Sequence, residues 1–266
     1  MWPVGTHNDY MFQHSVDVAV LGILLGRRAG LPREQLHELA LGCLLHDLAK
    51  MYIDQAILDK PDKLTPEEFD EIKKHPQMGF ELIRRMPVFS ILPAHVAYQH
   101  HERQDGGGYP RGLIGNNVLG RSLSERMNPR RMLLIAEIAA VADVYSALTS
   151  DRPYRPAMPL DRVNKIVGEM SGEHLNAEVV LMLQRTIPMF PVGHWVEVIT
   201  GTFHGWRGVV SALSPDALYH PMIRLLLNDR GHRVPNPIEL DLRIYDDLKI
   251  QGLSPSEAPF ELGIAV

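Results

Sequence analysis

The chain predicts a mainly α fold, a helical bundle followed by a small antiparallel β module at the C-terminus. Three observations carry that prediction. Apolar residues recur at helical spacing through most of residues 14–187. Thr and Pro residues mark helix starts inside that stretch. After Phe190 the pattern changes to short runs rich in Val, Ile and Leu around glycine-containing turns. A length of 266 residues with 45% hydrophobic content supports one ordinary domain plus an appendage. The expected division is a helical domain over 1–189, a β module over 190–250 and a tail over 251–266.

His14 to Ala29 reads as one helix, with Val16, Val20, Ile23 and Leu24 on its apolar side and Gly30 as its stop. Pro32 opens a second helix, where its missing N–H costs nothing. Leu36, Leu39, Ala40, Cys43 and Leu44 form that helix's apolar face. His46-Asp47-Leu48-Ala49-Lys50 closes it, and if the turn stays helical His46, Asp47 and Lys50 share one face. Leu58 to Leu64 is a loop, and Thr65-Pro66-Glu67-Glu68 is a capping box that starts a helix. His75 precedes Pro76, a helix boundary. Pro93 begins a helix that carries His100 and His101.

The glycines of Asp105-Gly106-Gly107-Gly108-Tyr109-Pro110 force an irregular loop. Asn116 to Arg131 is polar and basic, and Met132 to Leu148 is a strongly apolar helix with Asp143 embedded in it. About two more helices run to Ile187. Strands are expected at Trp195–Thr200, Gly208–Val210, Ile223–Leu227 and Ile238–Ile244, with Asn228-Asp229-Arg230-Gly231 as a hairpin turn.

Composition excludes several classes. A net charge of −5 argues against holding polymeric nucleic acid by bulk electrostatics, though not against a small anionic ligand. Cys43 is the only cysteine, so no disulfide framework exists and a reducing cytoplasm is the expected location. No run of about 18 uncharged apolar residues predicts a membrane span. Met1-Trp2-Pro3-Val4-Gly5 lacks the layout of a signal peptide and reads as a linker from a longer protein.

His14, His46, His75 and His100 fall near helix ends or faces that can converge in a bundle core, where helical metal sites are built. Asp47 and Asp143 are charges beside or within apolar runs and need partners. Imidazoles with carboxylates suit a first-row divalent ion. The adjacent His100 and His101 point about 100° apart on a helix, so both serve one site only near a distorted turn. A lone histidine is more often a hydrogen-bonded core group, and spacing alone leaves both readings open. His7, His37, His95, His174, His194, His204, His220 and His232 read as surface or supporting groups.

His46-Asp47 with Lys50, and His100-His101-Glu102 with Asp105-Gly106-Gly107-Gly108-Tyr109-Pro110, resemble the two signatures of the HD-GYP family. Those proteins are bacterial HD-superfamily phosphodiesterases acting on cyclic di-GMP. Asp59-Lys60-Pro61, Lys63-Leu64-Thr65, and Ala142-Asp143-Val144-Tyr145 running on to Arg152-Pro153-Tyr154-Arg155 are similar to the same family, over about residues 10–185. The resemblance implies an HD-type bundle with two divalent ions, iron or manganese. It implies ligands at His14, His46, Asp47, His75, His100, His101 and Asp143, with Asp47 bridging. Lys50, Arg152 and Arg155 would meet substrate phosphate, and Gly107, Gly108 and Tyr109 would shape the substrate side of the glycine loop.

Five departures stand out. Tyr10 occupies the place of a Glu found in members with a third metal, which points to two ions and linear pGpG as main product. Ala49 replaces a Gly, Ser146 an Asp and Glu137 an Arg common in the family. The stretch from Pro110 to Asp143, which includes residues 111–131, is also longer than the family pattern, an insertion that could cover the site.

The expected chemistry is attack of a metal-bridging hydroxide on phosphorus, with Asp47 and Lys50 as catalytic residues. Two alternatives stay open: an HD phosphohydrolase of another nucleotide, or a cyclic-dinucleotide-responsive interaction module with little turnover. The glycine loop is a possible docking surface for a diguanylate cyclase, and a homodimer is a further partner expectation.

Overall fold

The computed structural model describes residues 7–60, 62–87, 90–151, 157–245, 247–253 and 257–259, with side chains from Met11 onward. Helix α1 spans His7–Arg28 and α2 spans Arg33–Leu45. Short helices follow: α3 at Gln55–Leu58, α4 at Pro66–Ile72, α5 at His75–Ile83 and α6 at Ile91–Gln99. After α7 at Leu123–Arg126 come α8 at Leu134–Thr149, α9 at Leu160–Glu169 and α10 at Ala177–Gln184. The expected capping box starts α4: Thr65 accepts from the Glu68 N–H while Glu68 reaches back to the Thr65 N–H. Helix α6 begins two residues before Pro93, because Ser90 caps it by accepting from the Leu92 N–H.

The helical run through Lys50 breaks at the site. Helix α2 ends at Leu45, and Leu48–Tyr52 is a 3-10 turn with Lys50 N donating to Asp47 O at 2.9 Å. Asp47, at φ −100° and ψ 5°, leaves the helical region. The tighter winding therefore replaces the single shared face that helical spacing predicts.

Two compact units emerge, one of residues 1–157 with 166–183 and one of residues 158–165 with 184–266. In the first, α8 is central: every residue from Ile135 to Ala142 is buried, and it packs on α1, α2 and α6. Helix α2 meets α6 at glycine distance, since a Cβ on Gly42 would lie 2.5 Å from that of Val96.

The second unit holds an antiparallel sheet of order β4-β3-β2-β1-β5. Its strands are β1 Trp195–Val198, β2 Arg207–Ser214, β3 Ala217–Leu227, β4 Arg233–Asp241 and β5 Ile250–Gly252. Val196, Val198, Val210, Ile223, Leu225 and Leu240 form its core. Strand β3 is longer than its apolar run, because register shifts around Ala212 keep it paired with β2. Strand β5 has three residues, too few for a periodic pattern to show. Among the described residues no helix is long and apolar enough to cross a membrane.

Candidate metal centre

Each imidazole is placed by a helix or its end. His14 lies on α1 and Asp143 on α8; His46 and Asp47 sit in the break after α2. His75 opens α5, while His100 and His101 follow the last residue of α6. That chain end is the distorted turn adjacent histidines require. Two groups result, with all ligand atoms of a group within 4.8 Å: His14, His46 and Asp143, and Asp47, His75, His100 and His101.

Asp47 joins them. Its Oδ1 is 3.3 Å from His75 Nε2 and 3.6 Å from His100 Nε2, while its Oδ2 is 3.4 Å from His46 Nε2. Asp143 Oδ1 lies 3.0 Å from His14 Nε2 and 3.7 Å from His46 Nε2. Lys50 Nζ donates to Asp47 Oδ2 at 2.7 Å.

The far nitrogens fix the ring orientation. His46 Nδ1 donates to Cys43 O at 2.7 Å, His75 Nδ1 to Ile72 O at 2.6 Å and His100 Nδ1 to Ala97 O at 2.8 Å. A proton on Nδ1 leaves Nε2 as a lone pair aimed inward, the tautomer that ligates metals. His75 Nε2 and His100 Nε2 then face each other at 3.2 Å. Two lone pairs at that distance repel unless a cation or a proton lies between them. Among the described residues His46 Nε2 and Asp47 Oδ1 are fully buried without a hydrogen-bond partner. The donor set, the shared carboxylate and these orphaned atoms fit a pair of divalent ions.

Without ions the charges sort differently. Burial pulls the His46 imidazolium down, but Asp47 and Asp143 outweigh it and hold its pKa up to about 10 from an ordinary 6.5. Burial, aided by His46 and His75, pushes His100 down to about 4 against the pull of Asp47. Burial would raise Asp47, yet the charges of His46 and Lys50 keep it well below the usual carboxylate range. The signs follow by linkage. The raised His46 stabilises the fold below pH 6.5, and that contribution is lost as pH rises through about 10. The depressed His100 costs stability as pH falls from 6.5 through about 4, because the unfolded chain takes the proton first. In chelator, Tm is therefore expected to peak near pH 6.5 and fall on both sides. A Tm still rising between pH 7 and 9 contradicts this balance.

The glycine loop folds back onto the end of α6. Buried Glu102 accepts the Arg111 N–H at 2.7 Å and the Leu113 N–H at 2.8 Å, holding the loop's far side. Tyr109 N donates to His101 O, and its ring stacks on His101 at 4.7 Å and 23°. A Cβ on Gly108 would lie 2.4 Å from Arg103 N and 2.6 Å from His101 O, both backbone atoms. Gly108→Ala is expected to destabilise by about 1–3 kcal/mol and to unseat Tyr109 from His101. Urea midpoints and the Tyr109 ring signals in NMR check it; an unshifted midpoint with an intact stack refutes it.

All seven proposed ligands, with Lys50, Gly108 and Tyr109, fall in this one region; Gly107 is exposed and its N–H donates to Asp105, and Arg152 and Arg155 lie outside the described residues. Ser146 holds His14, its Oγ being 2.9 Å from His14 Nδ1. Residues 111–131 bond to Glu102, Gln104, Glu137, Gly172 and Glu178, which ties this stretch to the end of α6 and the start of α8. Sequence reasoning gave no role to Glu102. Its only signal was a carboxylate next to two histidines and nine residues before its N–H donor Arg111.

Residues 6–179 match the family model described as HD domain. The chain belongs to the HD domain family. Its paired signatures place this HD domain in the HD-GYP type. It is 34% identical over 255 residues to cyclic di-GMP phosphodiesterase PA4108 of Pseudomonas aeruginosa, covering 95% of this chain and 57% of that protein. It is 36% identical to the cyclic di-GMP phosphodiesterase of Thermotoga maritima, covering 63% and 42%. A third relative, the 3′3′-cGAMP-specific phosphodiesterase 3 of Vibrio cholerae, is 31% identical, covering 71% and 38%. The chain thus spans between 38% and 57% of these relatives' length. The solved structure of Bd1817, a HDG"Y"P protein from Bdellovibrio bacteriovorus, shares the HD fold with TM-score 0.51 at 22% identity, covering 65% of this chain and 51% of that one.

Proposed function

We propose that this HD domain is a metal-dependent phosphodiesterase that opens cyclic di-GMP, chiefly to linear pGpG. The carrying observation is the division of Asp47's two oxygens between two groups of imidazoles. His14, His46 and Asp143 would hold one divalent ion, His75, His100 and His101 the other, with Asp47 shared; iron or manganese suits this mixed set. Bound ions supply a positive field for the phosphodiester and acidify a coordinated water.

The chain's own residues do the rest. The carbonyls of Cys43, Ile72 and Ala97 keep three imidazoles aimed and deprotonated at Nε2. Lys50, on the Oδ2 side of Asp47 and partly exposed, binds a phosphate oxygen or returns a proton to the departing ribose oxygen. Tyr109, Gly107 and Gly108 form the loop wall, and Arg152 with Arg155 grip phosphate. The working domain is taken as 1–189, with 190–250 as the β module, 251–266 as the tail and the cytoplasm as location. The glycine loop is the proposed contact for a diguanylate cyclase, and homodimerisation is a further proposal.

A second reading, another cyclic dinucleotide as substrate, is favoured by likeness to the 3′3′-cGAMP-specific relative. Protein purified without oxygen, assayed for metal content and for turnover of both dinucleotides, tests the two. Chelation is expected to abolish turnover, and ferrous iron or manganese to restore it. Turnover that survives exhaustive chelation, or tight binding without turnover in metal-replete protein, defeats the phosphodiesterase reading.

A further inference from the structure

Beside the metal centre lies a cavity of about 370 Å³, within the size range of small-molecule sites. Asp47 and Lys50 line it, so it adjoins the centre at the shared carboxylate. The rest of its wall is apolar, chiefly Met11, Phe12, Leu44 and Met51. Phe12 and Met51 are 72% and 70% exposed, an unusual way to leave an aromatic ring and a thioether beside a buried charge cluster.

Resting on the phosphodiesterase reading, we infer that this cavity is the slot for one base of the nucleotide substrate, with Phe12 and Met51 as its gripping faces. In a nucleotide the base stands one ribose away from the phosphate. A phosphate at Asp47 and Lys50 therefore leaves its base within reach of the apolar wall of the same cavity. A heteroaromatic base has two apolar faces and a polar rim, and stacking on an aromatic ring or packing on a thioether suits the faces. Few groups in the wall can read the rim. Ser15 offers a hydroxyl, and the Gln55 amide already donates to Asp59 at 2.7 Å. The slot thus holds a base by contact and adds affinity for nucleotides over small phosphodiesters, which reach only the metal end.

The test compares two diesters on metal-loaded protein: cyclic di-GMP, and methyl p-nitrophenyl phosphate, which carries no base. Phe12→Ala and Met51→Ala are each expected to raise the ratio of the dinucleotide KM to the small-diester KM about tenfold. Calorimetry with a non-hydrolysable phosphorothioate analogue of cyclic di-GMP is expected to show the same factor in Kd, with Phe12→Tyr restoring it. An unchanged ratio and an unchanged Kd overturn the slot, as does an equal loss on both diesters in folded variants. If the wild type cleaves neither diester, the phosphodiesterase reading fails by itself, and the calorimetric comparison still decides the slot.

Discussion

Asp47→Ala is expected to abolish phosphodiester turnover, by about 10²- to 10³-fold or more, while leaving the helices in place. The shared carboxylate sits between two sets of ligands, so its loss weakens both at once. Metal content after dialysis should drop well below that of the wild type, a readout independent of turnover. The fold tolerates the change because Asp47 lies in the break between α2 and a 3-10 turn, with its side chain among imidazoles rather than apolar groups. Without it, the His46 proton loses its main counter-charge and keeps only that of Asp143 against the pull of burial. Normal turnover with a full metal complement in this variant would remove the proposed centre.

Glu137→Ala is expected to give the largest loss of stability, about 3–5 kcal/mol. Glu137 is 1% exposed on α8; its carboxylate takes the Arg121 guanidinium and, at 2.6 Å, the Asn176 amide. Removing it strands a guanidinium whose side chain is 6% exposed. The double variant Arg121→Leu with Glu137→Leu is expected to lose less than the single change, since no charge is left buried alone. Denaturant midpoints of the two variants decide this; a single variant within 1 kcal/mol of wild type would show that the pair carries little weight.

The helices and sheet were legible because their signals are local. The Thr65 capping box and the apolar run around Asp143 each lie inside one element. The meeting of His14 with Asp143 was not readable from spacing, because the two lie 129 positions apart in the chain. A resemblance of motifs had to supply that pairing. Spacing located the helix end near His46 and Asp47, but not the 3-10 winding that follows it. The contacts of residues 111–131 stayed hidden for a related reason. Their anchors, Gln104, Gly172 and Glu178, lie in other parts of the chain, and no periodicity announces them.

Glu137 stands where the HD-GYP pattern commonly has arginine, and its partner Arg121 comes from the stretch that exceeds that pattern. In this chain the cation of the buried pair is delivered from outside the helix. Neither residue can drift alone through mutation, so the two positions should covary across homologous chains. Members without the extra stretch should seldom keep an acid on the helix, and an alignment sorted by that stretch's length would expose the linkage.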